Sequence, residues 1–219
     1  KDFEALKRLI SPRRLNKGDL IFQEVEQVFG LYIICRGKVK LSKHAINGKE
    51  QILKILGPAE ILGEGTLFDR EDYSASAKAL EDTQARFIER RDFLSFLEEH
   101  HDVALKLIEK LARELKGFES KLIEMAYAGA QERLARLLLA IANKYGLEEA
   151  EGRYIGLELS RLELAELAGL SLETTIRTLG EFRDRGFVVF RSHQILITNE
   201  AGLHRLALPI PVIWRESLL

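Results

Sequence analysis

A chain of 219 residues that is 46% hydrophobic and 31% charged can bury one large core or two small ones, and its composition excludes a disordered protein. No apolar run approaches the ~20 residues that span a bilayer, and the charged, amphipathic start KDFEALKRLI is no signal peptide. The single cysteine, Cys35, excludes an internal disulfide, argues against a four-cysteine iron–sulfur cluster and fits a reducing cytoplasm, while the net charge of −1 predicts little sequence-independent attraction to phosphate.

Roughly the first 98 residues alternate in the manner of strands and are punctuated by glycine. Short strands are predicted at Leu20–Phe22, Gly30–Cys35, Lys38–Ser42, Gln51–Leu56 and Ala85–Ile88. Asn47-Gly48 between two of these runs signals a two-residue hairpin; Gly18-Asp19, Arg36-Gly37 and Gly57-Pro58 mark further turns. Evenly spaced short strands suggest a β-barrel or β-roll, flanked by short helices at about Phe3–Ile10 and Arg91–Glu99. Cys35, among core-like neighbours, reads as a buried, inert thiol.

The period then changes. Ile108, Leu111, Leu115, Phe118, Leu122 and Met125 recur at spacings of three and four, the apolar seam of a long helix starting near Asp102. Such a seam suits a helix pairing with a second copy, or one lying on its own β-domain. Both hold together if Ala104 and Leu107 face the β-domain. Gly129 then breaks the helical pattern before a new amphipathic helix, and is taken as the domain boundary and hinge.

From Leu159 to Leu179 the chain reads as two short helices about a glycine turn. Ser160 is an N-cap, with Glu163 placed to close a capping box. Leu162, Leu164, Ala165 and Ala168 are predicted to face inward. Gly169 makes the turn and Ser171 caps the second helix. There Ile176 and Leu179 are predicted inward, and Leu172, Glu173, Thr174 and Arg177 outward. A helix presented this way can enter a DNA major groove. The same spacing fits an ordinary antiparallel helix pair. Gly186 ends the second helix, and Phe187–Phe190 with Gln194–Thr198 form a hairpin or wing about Arg191-Ser192-His193. The tail Leu208–Leu219 fits neither period.

From Ala150 onward, arginines 153, 161, 177, 183, 185, 191, 205 and 215 face nine acids, so specific contacts and dimerisation must supply DNA affinity. No HExxH, CxxC, GxSxG or P-loop spacing occurs, which leaves no enzyme signature and no metal site.

A β-roll, a heptad helix and a winged helix-turn-helix in this order resemble the cyclic-AMP receptor protein and fumarate–nitrate regulator (CRP-FNR) superfamily of bacterial transcription factors. The resemblance runs from about Leu15 to Thr198, carried by LYIICRGKVKL (Leu31–Leu41), NGKEQILKILGPAEILGEGTLF (Asn47–Phe68) and the helix-turn-helix. It implies an α+β protein with a cyclic-nucleotide-binding-like sensor roll over residues 1–101, a dimerisation helix over 102–128 and a winged helix-turn-helix over 129–219. It further implies a cytoplasmic homodimer on palindromic double-stranded DNA, with RNA polymerase as a partner and an effector that shifts the long helices.

The recognition helix is more similar to the fumarate–nitrate branch. Glu173 and Arg177 suit a G·C pair, while Leu172 stands where the cyclic-AMP branch has a further arginine, so a half-site closer to TTGAT than TGTGA is expected. Ser160, Arg161, Ser171 and Thr174 fall where family members touch phosphates.

The segment GEGTLFDREDYSASA (Gly63–Ala77) matches the cassette that grips a cyclic phosphate. Gly63 and Glu64 are present, but Tyr73-Ser74-Ala75 replaces the Arg-Ser pair, and Arg70 falls on the far side of the loop. Phe118 and Glu119 replace the pair expected at adenine. Cyclic AMP is therefore not the expected effector. Gly63, Glu64, Tyr73, Ser74 and Phe118 remain the candidate effector residues. Haem is the next candidate, through His44, His100, His101, Cys35 or Met125. A small molecule bound between roll and helix is another. The competing function is a signal-binding module whose helix-turn-helix contacts protein rather than DNA.

Overall fold

The computed structural model describes residue 6 and residues 9–68, 72–191 and 194–207. The chain divides into two compact units, Lys1–Lys116 and Gly117–Leu219.

The first unit contains β1 (Ile10–Leu15), β2 (Leu20–Phe22), β3 (Gly30–Arg36), β4 (Val39–His44), β5 (Glu50–Leu56), β6 (Ile61–Leu62), β7 (Ser76–Ala79) and β8 (Thr83–Glu89). They form two antiparallel four-stranded sheets, ordered β1-β8-β3-β6 and β2-β7-β4-β5. Phe22, Ile34, Val39, Leu56, Leu62, Tyr73 and Ala77 pack together as one core. All five expected strands are present. The sequence did not announce β1, whose ISPRRL carries a proline and two arginines; it is tolerated as an edge strand, where Pro12 need not donate to a second neighbour.

The Asn47-Gly48 hairpin joins β4 to β5 through a three-residue turn, not the two-residue one expected. Ala45 N–H donates to Lys49 O (2.9 Å), Gly48 N–H donates to Ala45 O (2.8 Å), and Gly48 takes φ +79°. This is a type I turn closed by a left-handed residue. Cys35 is exposed, contrary to expectation. The β3–β8 register shifts between Ile34 and Arg36, so Cys35 is the unpaired bulge residue, while Ile34 keeps the core position.

Two helices follow, α1 (Arg90–Glu99) and α2 (His101–Tyr127). The expected inward face of α2 is present. Leu107 is buried and Ala104 half-buried, with Val103 beside them, against Leu31, Leu67, Ile88, Phe93, Phe96 and Leu97; Leu111, expected on the pairing seam, is half-buried against this same core. Most of the expected Phe3–Ile10 helix lies outside the described residues; Leu6 and Leu9 are helical, and Ile10 already begins β1. Elsewhere along α2, Ile108, Leu115, Phe118, Leu122 and Met125 are all exposed, at 41–69%. No described helix is long and apolar enough to cross a membrane.

The second unit takes the end of α2, then α3 (Ala130–Tyr145), β9 (Leu147–Glu149), β10 (Gly152–Tyr154), α4 (Arg161–Ala168), α5 (Leu172–Asp184), β11 (Val188–Arg191), β12 (Gln194–Ile197) and α6 (Glu200–Leu206). Its sheet runs β11-β12-β10-β9. Leu134, Leu138, Leu164, Leu179, Phe182, Val188, Leu196 and Leu203 are fully buried within this unit. The helical path breaks at Ala128-Gly129, where expected. Gly129 nonetheless sits at φ −71°, ψ 168°, extended backbone open to any residue. The wing tip Ser192-His193 and the tail Leu208–Leu219 lie outside the described residues.

Candidate functional site

The two-helix element is built by its caps. Ser160 Oγ accepts from Glu163 N–H (3.1 Å), and Glu163 Oε2 accepts from Ser160 N–H (2.8 Å), closing the box that starts α4. Gly169 takes φ +65°, and the Leu170 N–H reaches back to Ala165 O (3.0 Å), ending α4 and turning the chain. Ser171 Oγ accepts from Thr174 N–H (3.1 Å) to start α5. At the far end Phe187 N–H donates to Phe182 O (2.8 Å) and Gly186 N–H to Arg183 O (2.9 Å), with Gly186 at φ +68°. A helix fixed at both ends presents a defined outer face.

Two inward assignments need correction. Leu162 and Ile176 are each 52% exposed. The seated face of α4 is Leu164, Ala165, Leu167 and Ala168; that of α5 is Thr175, Thr178, Leu179 and Phe182. Thr175 is buried without loss because its hydroxyl donates to Ser171 O (3.0 Å). The outer face of α5 then carries Leu172, Glu173, Ile176 and Arg177, all exposed, with Thr174 half-buried beside them. Among the described residues Arg177 meets Glu181, at 3.9 Å in an exposed pair worth little. Arg161 is half-buried, its guanidinium 4.3 Å from the Phe190 ring.

In the first unit the cassette opens at Gly63, whose φ of +85° and nearness to the Tyr73 ring favour glycine. A single 3-10 turn, Glu64–Thr66, follows. Tyr73 is 4% exposed, stacks on Phe22 with centroids 3.9 Å apart, and donates its hydroxyl to Gly30 O at 2.7 Å. Its ring is thus part of the core. Burial, with Tyr32 nearby, pushes its pKa up to about 12. Ser74 is exposed, and Arg70 lies outside the described residues. Phe118, 46% exposed, belongs to the second unit.

Sequence reasoning missed the partner of Glu64. The Glu64 carboxylate, 4% exposed by residue, receives the Lys110 ammonium from α2. Lys110 also meets Glu114 at 2.7 Å, and Glu114 meets Lys54 of β5 at 2.9 Å. Burial opposes the charge on Lys110, but hydrogen bonds to Glu114 and Glu64 outweigh it and raise the pKa. Burial likewise opposes the Glu114 charge, and Lys110 and Lys54 hold that carboxyl below its ordinary value. The contacts of Lys110 span 46 residues to Glu64 and four to Glu114; only the second is visible as a helical spacing.

The proposed haem ligands are scattered in role. His44 and His101 are exposed, the His100 ring stacks on Phe96 (4.2 Å), and Met125 is 41% exposed. No group of three His, Cys, Asp or Glu side chains that could hold a metal ion occurs among the described residues. An apolar groove of about 630 Å³ between α1 and α2 is lined by Phe68, Leu97, His101, Leu107, Ile108 and Leu111, among others.

Residues 12–100 match the cyclic nucleotide-binding domain family, and residues 132–206 the Crp-like helix-turn-helix domain family. The chain is 30% identical over 203 residues to a CRP-like cAMP-activated global transcriptional regulator of Mycobacterium tuberculosis, covering 93% of this chain and 91% of the relative. It is 28% identical to the anaerobic regulatory protein of Bacillus subtilis, covering 85% and 79%. The structure of FixK2 from Bradyrhizobium japonicum superposes with a TM-score of 0.81 at 27% identity, covering 92% of this chain and 98% of the other. With a domain of the cyclic nucleotide-binding family ahead of a Crp-like DNA-binding helix-turn-helix, the chain belongs to the CRP-FNR superfamily of transcription regulators.

Proposed function

We propose that this regulator works as a homodimer that reads a palindromic site, with Glu173 and Arg177 contacting base edges. The observation that carries this reading is the outer face of α5, where both side chains are exposed while caps at each end fix the helix. Glu accepts from cytosine N4 and Arg donates to guanine O6 and N7, so the pair matches one G·C step. Leu172 offers methyl groups to thymine in place of a donor, which favours a TTGAT-like half-site. Ser160, Arg161, Ser171 and Thr174 surround this face as phosphate contacts. The exposed stripe Ile108, Leu115, Phe118, Leu122 and Met125 is the surface that would pair two copies, with RNA polymerase the partner at a promoter.

The cassette residues do not fit a cyclic phosphate. Tyr73, at the place of the phosphate-binding arginine, is a neutral core ring, and Glu64 is paired with Lys110. Cyclic AMP is accordingly not the effector of this chain, although its Mycobacterium relative is named for activation by that nucleotide. Calorimetric titration with cyclic AMP should show no saturable heat; saturable binding overturns this assignment.

The decisive test of the reading is Arg177→Ala. Binding to a duplex selected by the wild-type protein should weaken by about 1–3 kcal/mol, concentrated at the guanine position. Unchanged binding to every palindromic duplex would leave the alternative, a helix-turn-helix that contacts protein.

A further inference from the structure

Several arginines of the second unit face neighbouring acids. Arg136 meets Glu132, Arg153 meets Glu148 and Glu200, Arg183 meets Asp184, and Arg191 meets Glu149 and Glu151. Arg161, like the exposed Arg185 that lies 4.5 Å from the Phe187 ring centroid, has no acid partner among the described residues, but Arg161 is half-buried. Burial alone lowers its pKa, with no carboxylate opposing the shift. Its guanidinium is held by an aromatic ring instead, 4.3 Å from the centroid of Phe190. Arg161 is the first residue of α4, directly after the Ser160 cap, and Phe190 sits on β11, the first wing strand. The stack therefore ties the start of the helix-turn-helix to the wing.

The chemistry of the two kinds of partner differs. A carboxylate uses up guanidinium donors and cancels the charge. A ring face does neither: the N–H groups lie in the guanidinium plane and stay free for a planar, bidentate contact with phosphate. The ring also restricts the rotamers of a long side chain before DNA arrives, which lowers the ordering cost of binding. A cation aimed in advance at a phosphate loses less freedom on binding than a mobile one.

We propose that Phe190 is a positioning residue for DNA-backbone binding, its ring holding Arg161, unpaired with any acid among the described residues, ready for a phosphate. The inference rests on the reading of Arg161 as a phosphate contact.

The test uses the full chain and a duplex selected by the wild-type protein, with affinity measured by fluorescence anisotropy across a salt series. Arg161→Ala should weaken binding and reduce the slope of log K against log salt by about 0.9 for each DNA-binding domain. Phe190→Leu should weaken binding in the same sense and lower the slope. Phe190→Tyr, which keeps the ring face, should bind as wild type. The Phe190→Leu/Arg161→Ala double variant should be no weaker than Arg161→Ala alone, because the ring acts only through the arginine. Thermal melting checks each variant. If Phe190→Leu melts early, Phe190→Met, which keeps the volume without a ring, takes its place and is read the same way.

Wild-type affinity and slope in Phe190→Leu, beside a weakened Arg161→Ala, overturn the proposal and leave the phosphate reading standing. Additive losses in the double variant, or tighter binding by Phe190→Leu, overturn it as well. An Arg161→Ala variant that binds as wild type overturns both.

Discussion

Lys110 of the long helix closes on the buried Glu64 carboxylate of the 3-10 turn, 46 residues earlier in the chain. With Glu114 and Lys54 it forms an alternating run of charges that joins the cassette, α2 and β5 within one unit. Removing one member leaves its neighbour's charge uncompensated, which costs more than the pair itself contributes.

Lys110→Ala should therefore destabilise the protein by roughly 1–3 kcal/mol in denaturant unfolding, and adding Glu64→Gln should recover part of that loss. A neutral Lys110→Ala would show the run to be a surface ornament. The same run sets an acid limit. Hydrogen bonds from Lys110 and Lys54, outweighing burial, depress the folded pKa of Glu114. Its contribution is thus present above the ordinary value of 4.5 and lost as pH falls through the folded value. Acid unfolding should begin at higher pH in Lys54→Ala than in wild type.

Tyr73 sets the opposite limit. Burial raises its pKa from 10.0 to about 12, so the neutral phenol is the folded form. Its contribution is complete below pH 10 and disappears as pH rises through about 12. Melting temperature should fall across that window, and the fall should be shallower in Tyr73→Phe, which cannot ionise. Tyr73→Phe should also cost about 1 kcal/mol at neutral pH through loss of the bond to Gly30. Equal slopes in both proteins would assign the alkaline loss to other groups.

Leu115→Glu tests pairing of the long helices. Leu115 is 61% exposed on the apolar stripe, so the change should leave each protomer folded and shift sedimentation to the monomer. A dimer that persists at micromolar concentration would place the interface elsewhere.

Val25 is a β-branched residue at φ +69°, a conformation that glycine adopts freely and valine does not. Its side chain is 75% exposed, and its N–H donates to Tyr73 O at 2.9 Å while Tyr73 N–H donates to Glu26 O at 2.9 Å. The strain is thus held by two backbone bonds to the end of the cassette. Val25→Gly should raise stability by about 1 kcal/mol, net of the entropy glycine adds to the unfolded chain. A loss of stability would show that Val25 contributes packing its exposure hides.

What could be read from the sequence was local. Alternation and turn glycines located β2 to β5 and β8, and Ser160 with Glu163 announced the capping box at the start of α4. Where hydrophobicity alone chose the inward face, it erred. Ile176 faces out, and Thr175 and Thr178 face in, because small side chains can seat the helix closely, Thr175 with its hydroxyl bonded to its own helix. Cys35 was misplaced by a bulge, which no alternation pattern announces. The Lys110–Glu64 pair was out of reach for a different reason: nothing in either neighbourhood marks the other.

The division of α5 into two faces has one more consequence. Thr175, Thr178, Leu179 and Phe182 carry its attachment, while Leu172, Glu173, Ile176 and Arg177 are exposed on the other side. Exposed substitutions of this kind usually move stability by less than about 0.5 kcal/mol. Scaffold and lettering are therefore separable on one helix. If this face reads DNA as proposed, its residues can be rewritten, by selection or in the laboratory, to address a new operator without first being compensated by stabilising changes in the rest of the domain.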